Sequence, residues 1–269
     1  MERWFLFDDN PASGAENMAR DEFLLERVDR EEHIPVLRLY SFQPPAITIG
    51  YHQDPLEILD IDALRRDRIE LVRRITGGRA LLHDKELTYC VAAQVDSWSC
   101  GAGLRDTFLR ISEALTIALR SLGVNARISN GCIGRGRPGL TPPCLASVSM
   151  YEITVRGKKI VGSAQRRTRS VFLQHGSILL GPGSSRIARY LGGTWDSMGD
   201  RITSIAEELD REVDAQEVRS SLVEAFSVRF GITLQPTRFS VREEKEIEWR
   251  SIEKRRELSH IKGMEVAGS

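Results

Sequence analysis

Three successive runs rich in aliphatic and β-branched residues, SVSMYEITV, KKIVGSAQ and VFLQHGSILL, are joined by segments too short to hold a helix. Connections that short impose antiparallel neighbours, because a parallel crossover needs about a dozen residues or more. Gly157 marks the hairpin between the first two runs. Upstream, VLRLYSF and AITIG are separated by Pro44 and Pro45 and read as paired strands. RALLHDKELTYCVAAQV reads as strand, turn and strand, with Asp84 and Lys85 in the turn. Strands in adjacent pairs, rather than in strict alternation with helices, predict an α+β domain with a mixed, largely antiparallel sheet flanked by helices.

The helices carry their own punctuation. Ser13 and Glu16 form a capping box ahead of Ala15, Met18, Leu25 and Val28, which recur at helical intervals. From Arg105 to Leu122 a stripe of Phe108, Ile111, Leu115, Ala118, Leu119 and Leu122 stops at Gly123. Further helices are expected around SRIARYLGG and over DAQEVRSSLVEAFSVRFG, the latter opened by Asp214 and Glu217. No repeat or Ser/Gly linker divides the chain. One catalytic domain over residues 1–235 is expected, followed by a charged C-terminal extension, 236–269, that frays from Val241.

Lys plus Arg and Asp plus Glu both number 38, so the balanced charge gives no bulk footprint for nucleic acid. The N-terminus is apolar only from Trp4 to Phe7, too short for a signal peptide or membrane span, which predicts a soluble cytoplasmic protein. The four cysteines, Cys90, Cys100, Cys132 and Cys144, show neither C-x-x-C pairing nor zinc-site spacing. No metal and no cofactor are expected. Each cysteine is a buried apolar residue or a reactive thiol.

Several motifs fail on context. Gly134, Gly136 and Gly139 match G-x-G-x-x-G, but no hydrophobic strand precedes them and prolines follow. The same GRGRPG is similar to the arginine-glycine loop of biotin ligases, yet lacks that loop's aromatic continuation. Neither a phosphate-binding G-x-x-x-x-G-K-[ST] nor a G-x-S-x-G elbow occurs. His83 and His175 lie in β-rich segments and read as structural histidines. Arg73 and Arg74 beside Gly77, Gly78 and Arg79 would let a backbone approach an anionic ligand closely, or would form a solvated turn. Arg166, Arg167 and Arg169 form a second basic cluster, an exposed hairpin tip or a docking surface for an acidic partner.

RRITGGRALLHDKELTY, from Arg73 to Tyr89, is long and specific, and three further segments follow it in order. These are the PPC loop with Cys144, GKKIVGSAQ from Gly157 to Gln165, and LQHGSILL from Leu173 to Leu180. Together they resemble the lipoate-protein ligase and octanoyltransferase family, related in fold to biotin ligases, over roughly Trp4 to Gly231. Within it the chain is most similar to cysteine-dependent octanoyltransferases of the LipM type, whose Pro-Cys loop shortly precedes a Tyr-Glu strand, here Tyr151-Glu152. The GCIGRGRPG insert before that loop departs from the familiar pattern.

The resemblance implies a biotin/lipoate-protein ligase catalytic fold with Cys144 as nucleophile and the Lys159 ammonium beside it, favouring the thiolate. Cys132 is the rival nucleophile. Arg73, Gly77, Gly78, Arg79 and His83 are implied to line the acyl and pantetheine pocket. Gly162, Ser163 and Ala164 would leave room for an acyl chain, although small residues also mark tight sheet packing. The implied donor is octanoyl-acyl carrier protein, and the acceptor a lysine of a glycine-cleavage H protein or an E2 lipoyl domain. Exchange of one thioester for another needs no ATP, and transfer to an amine then runs downhill to an amide. Two alternatives within the family are an ATP-dependent lipoate-protein ligase, opposed by Cys144 and by the absence of a further C-terminal domain, and an octanoyl amidotransferase between lipoyl-carrier proteins. A non-enzymatic module that binds acyl carriers is a third.

Overall fold

The computed structural model describes residues 2–30, 33–97, 100–101, 103–129, 151–191, 201–259 and 261. Its large sheet has eight strands, beginning with β1 (Glu2–Asp8), β2 (Val36–Tyr40), β6 (Glu86–Gln94) and β7 (Arg127–Ile128). It is completed by β8 (Ile153–Val155), β9 (Lys158–Arg167), β10 (Val171–Leu179) and β11 (Ile232–Pro236), in the order β11-β1-β2-β6-β10-β9-β8-β7. β1 runs parallel to β2 and β11, and the other pairings are antiparallel. The sheet is therefore mixed and largely antiparallel, as the short connections require. Arg156 and Gly157, both at positive φ, close the β8–β9 hairpin.

A second, three-stranded sheet holds β3 (Ala46–Ile49) between β4 (Glu70–Arg73) and β5 (Leu81–His83). This corrects the paired-strand expectation for VLRLY and AITI: β2 and β3 belong to different sheets. The Asp84-Lys85 turn likewise does not make a hairpin. It carries the chain from β5 in the small sheet to β6 in the large one.

Two layers of helix cover the large sheet. On one face α4 (Leu104–Ser121) and α6 (Ala215–Phe230) bury Ile111, Leu115, Leu222 and Phe226 against Leu39, Tyr89 and Val91. On the other, α1 (Gly14–Arg30) packs Leu24, Leu25 and Val28 on Phe7, Val36 and Tyr40. Side chains alternate along each strand, so Leu39 faces one core while Tyr40 faces the other. The remaining α-helices are α2 (Pro55–Ile58), α3 (Ile61–Arg66), α5 (Ile205–Leu209) and α7 (Val241–Glu257). The segment expected to be helical around SRIARYLGG is a 3-10 helix over Pro182–Tyr190.

The chain from Val241 does not fray. Ser240 and Glu243 form a complete capping box for α7, which lies against α1. Phe239 packs at a tilt against Phe7, and Ile247 is buried beside Ala19 and Phe23. The charges of α7 are used in pairs with α1: Arg250 with Glu26 at 2.9 Å, Arg27 with Glu243 at 3.4 Å, and Lys254 with Glu22.

Candidate active site

Where the small sheet faces the large one they enclose a cavity of about 350 Å³ of empty space, its mouth included. Gly162, Ser163 and Ala164 of β9 and His175, Gly176 and Ser177 of β10 form one wall. Thr48, Leu81 and His83 of the small sheet form the other, and Met18 of α1 and Tyr40 of β2 also border the space.

Close strand packing shapes the first wall. A Cβ on Gly176 would sit 2.5 Å from the Gly162 carbonyl and 2.7 Å from the Ser163 hydroxyl, so only glycine fits. Ser163 donates or accepts at 2.7 Å with the Tyr89 hydroxyl, which Gln174 meets at 3.0 Å. Burial pushes the Tyr89 phenol up to about 12, so it stays neutral. Gly176 and Tyr89 carried no functional expectation from sequence, because the need for a glycine arises only once β9 and β10 are paired.

Arg74, rather than Arg73, borders the cavity. Its buried guanidinium donates to the Thr48 carbonyl at 3.1 Å, the Gly77 carbonyl at 3.0 Å and the Arg79 carbonyl at 2.8 Å, and so holds the glycine-rich turn. Gly78 has φ +95°, and its carbonyl lies 2.1 Å from where a Cβ on Gly50 would be. Gly77, Gly78 and Arg79 thus form the rim that Arg74 braces and do not line the cavity itself. Arg73 points elsewhere, to the carbonyls of Gly50, Tyr51 and Gln53 and to Glu257.

Both histidines sit on the cavity wall in polar networks. His83 Nε2 lies 2.9 Å from the Thr48 hydroxyl and its Nδ1 3.1 Å from Glu86, with the ring stacked on Phe42. His175 Nδ1 lies 2.8 Å from Asp21 and Nε2 2.7 Å from the Thr76 hydroxyl. Arg38 and Tyr40 each donate to Asp21 at 2.7 Å. Burial pushes Asp21 up, but the His175 hydrogen bond and the Arg38 charge outweigh it and hold the carboxylate below its usual range. Burial prevails at His175 and lowers it, so the ring is neutral and donates from Nδ1 to Asp21.

Lys159 is fully buried, and its Nζ lies 2.5 Å from Glu152 Oε1. The β8–β9 register slips by a residue beside it, from Ile153↔Val161 to Thr154↔Lys159. A bulge of this kind re-aims a side chain. Lys159 does not line the cavity. The strand ends beside it are tied, with Tyr151 N donating to Ser129 O at 2.9 Å and Ser129 N to Glu152 O at 2.7 Å. Cys144 and Cys132 lie outside the described residues. Cys90 and Cys100 are buried, and burial pushes the Cys90 thiol well above its ordinary value.

Arg166 and Arg167 are half-buried and Arg169 is exposed. Arg166 donates to the Ile75 carbonyl at 3.2 Å and lies over the Tyr51 ring, next to the glycine-rich rim. Among the described residues no group of His, Cys, Asp and Glu is arranged to hold a metal, and no helix is long and apolar enough to cross a membrane.

Comparison with known proteins bears on this arrangement. The family described as the lipoyl protein ligase A/B catalytic domain matches residues 13–227. The octanoyltransferase LipM of Moorella thermoacetica is 36% identical over 243 residues, spanning 87% of this chain and 89% of that one. The octanoyltransferase LipM of Bacillus subtilis is 32% identical, spanning 90% and 91%. Among solved structures, a lipoate-protein ligase A bound with ATP superposes with a TM-score of 0.78 at 25% identity, covering 95% of this chain and 96% of that one. A Thermoplasma acidophilum protein with bound lipoic acid shares the fold at a TM-score of 0.76 and 24% identity.

Proposed function

The chain belongs to the lipoyl protein ligase A/B catalytic domain family, and on that premise we propose that it is an octanoyltransferase of protein lipoylation. The observation that carries this is the likeness to LipM octanoyltransferases along nearly the whole of both chains. The largely apolar walls between the sheets suit an eight-carbon acyl tail, with Gly162 and Ala164 leaving it space.

The reaction proceeds in two steps. The Cys144 thiolate attacks the thioester carbonyl of octanoyl-acyl carrier protein, an acyl–sulfur bond to Cys144 forms, and the pantetheine thiolate leaves. The neutral amine of a carrier-protein lysine then attacks the Cys144 thioester, an amide forms, the Cys144 thiolate departs, and the amine loses its proton. An unperturbed cysteine, with a pKa of about 8.5, is mostly protonated at neutral pH, and the Lys159 ammonium supplies the charge that favours the thiolate. Two of the four cysteines, Cys90 and Cys100, are buried, which supports a nucleophile among the other two. The acceptor is a glycine-cleavage H protein or an E2 lipoyl domain, and the setting is the cytoplasm. Arg166, next to the rim, with Arg167 and Arg169 further along the same hairpin, supplies the positive surface for an acidic acyl carrier.

A second reading, ATP-dependent lipoate ligation, draws on the likeness to the ATP-bound ligase. Chain length does not oppose it, contrary to the sequence expectation, since this chain covers 96% of that ligase. Intact-protein mass spectrometry separates the two. An octanoyl adduct on Cys144 after mixing with octanoyl-acyl carrier protein, absent in Cys144→Ala and independent of ATP, is expected. Transfer that requires ATP, or that survives in a folded Cys144→Ala, overturns the proposal. A parallel incubation with octanoylated H protein identifies the donor.

A further inference from the structure

We infer that Arg73 is a positioning residue, tying the C-terminal helix α7 to the rim of the acyl cavity and thereby setting how tightly the acyl donor binds. The inference rests on the acyl-transfer reading of that cavity.

Neighbouring residues of a strand face opposite ways. At the end of β4 this sends Arg74 to the cavity and Arg73 to the far side of the small sheet, so two adjacent guanidinium groups grip the same rim from opposite sides. Arg73 Nη1 donates to three carbonyls of one turn: Gly50 at 3.2 Å, Tyr51 at 3.0 Å and Gln53 at 2.7 Å. Three carbonyls sharing the two N–H of one guanidinium nitrogen tie the turn's path to Arg73, while Gln53 N closes the turn on the Gly50 carbonyl at 3.0 Å.

That turn is the outer support of the glycine-rich rim. Tyr51 N donates to the Thr76 carbonyl at 2.9 Å, and the Gly78 carbonyl packs where a side chain on Gly50 would stand. Thr76 in turn holds His175 on the cavity wall. Any shift of residues 50–53 is therefore passed on to Gly77, Gly78 and the cavity.

The charge of Arg73 is met by Glu257, with Nε 2.8 Å from Oε1. Glu257 closes the last turn of α7, and Lys254 one turn earlier reaches the Arg73 carbonyl at 3.5 Å while pairing with Glu22 of α1. A helix outside the 13–227 family match is thus connected to the turn that supports the site through Arg73, beside the Arg255–Glu70 contact at 3.8 Å and the packing of Leu258 in the core of the small sheet.

The test combines amide hydrogen exchange with steady-state kinetics on Arg73→Ala, Arg73→Lys and Glu257→Gln. In Arg73→Ala, exchange should accelerate at residues 50–53 and 76–79 while β6 and β10 stay protected. KM for the octanoyl donor should rise roughly tenfold with kcat little changed, the pattern of a misplaced binding element. Arg73→Lys keeps the charge but lacks the planar fork, so it should recover part of the loss. Unchanged KM per active site, or exchange accelerated evenly throughout the small sheet, would reduce Arg73 to a stabilising contact and overturn the inference. If the wild-type protein transfers no octanoyl group, the proposed function fails, and the tether is then decided by the exchange pattern alone.

Discussion

Lys159 Nζ and Glu152 Oε1 stand 2.5 Å apart with both side chains buried, and Glu152 follows Cys144 by eight residues in the sequence. Removing one member of a buried pair leaves an uncompensated charge, which costs about 3–5 kcal/mol. Glu152→Ala should therefore lower the melting temperature markedly, and Lys159→Ala should do the same. A melting temperature unchanged in either variant would show that the pair is not closed in solution.

Under the mechanism proposed above, Lys159→Ala should also slow alkylation of Cys144 near neutral pH, because the thiolate would lose the cation assigned to it. The measurement is a pH profile of iodoacetamide reaction in a protein whose only cysteine is Cys144. The profile should move to higher pH and recover at alkaline pH. A profile superimposable on wild type would leave Lys159 a structural role only.

Gly176→Ala should destabilise the protein by about 1–3 kcal/mol, the usual cost of forcing an atom into filled space. The added Cβ would fall 2.5 Å from the Gly162 carbonyl, across the strand pair that walls the cavity. Gly77→Ala is the control: its backbone lies outside the left-handed region and nothing lies within 4 Å of the new Cβ. Denaturant unfolding should separate the two variants clearly.

Burial lowers His175, so stability should decline as pH falls below about 6.5. In that window the unfolded chain takes up a proton at this histidine while the folded protein does not, which favours unfolding on acidification. Above it the contribution is flat. His175→Gln should remove this part of the pH dependence, as read from unfolding free energies between pH 7 and pH 5.

Ile247→Ala should cost about 2–5 kcal/mol, as for a buried aliphatic side chain elsewhere in a core. Ile247 is 1% exposed in the interface between α7 and α1. A thermal shift near zero would return the C-terminal residues to the status of a loose tail.

Local order was readable from the sequence where it is locally determined. The α4 stripe ends at Gly123, α6 opens on Asp214, and the β8–β9 hairpin turns at Gly157, each through its own caps or turn residues. Sheet membership was not, because β2 and β3 differ in partners far along the chain: β2 pairs with β1 and β6, β3 with β4 and β5. The charges of α7 suggested solvent, yet they meet opposite charges on α1. At the cavity the motif marked both arginines but not which of them faces inward. Which of Arg73 and Arg74 faces inward depends on the phase of a four-residue strand, and two adjacent identical side chains conceal that phase. Glu152 entered the sequence reading only as a landmark, because its pairing with Lys159 depends on a register slip.

The two walls of the cavity are joined at Asp84 and Lys85, and that junction is bolted: the Lys85 carbonyl accepts from Leu180 N at 3.0 Å and Gly181 N at 3.1 Å. Walls hinged on so short and so firmly held a corner do not part like jaws. On the acyl-transfer reading proposed above, an acyl tail would be threaded in lengthwise from the rim and withdrawn the same way, so the carrier that brings it would need only to reach the doorway and never to pry the sheets apart.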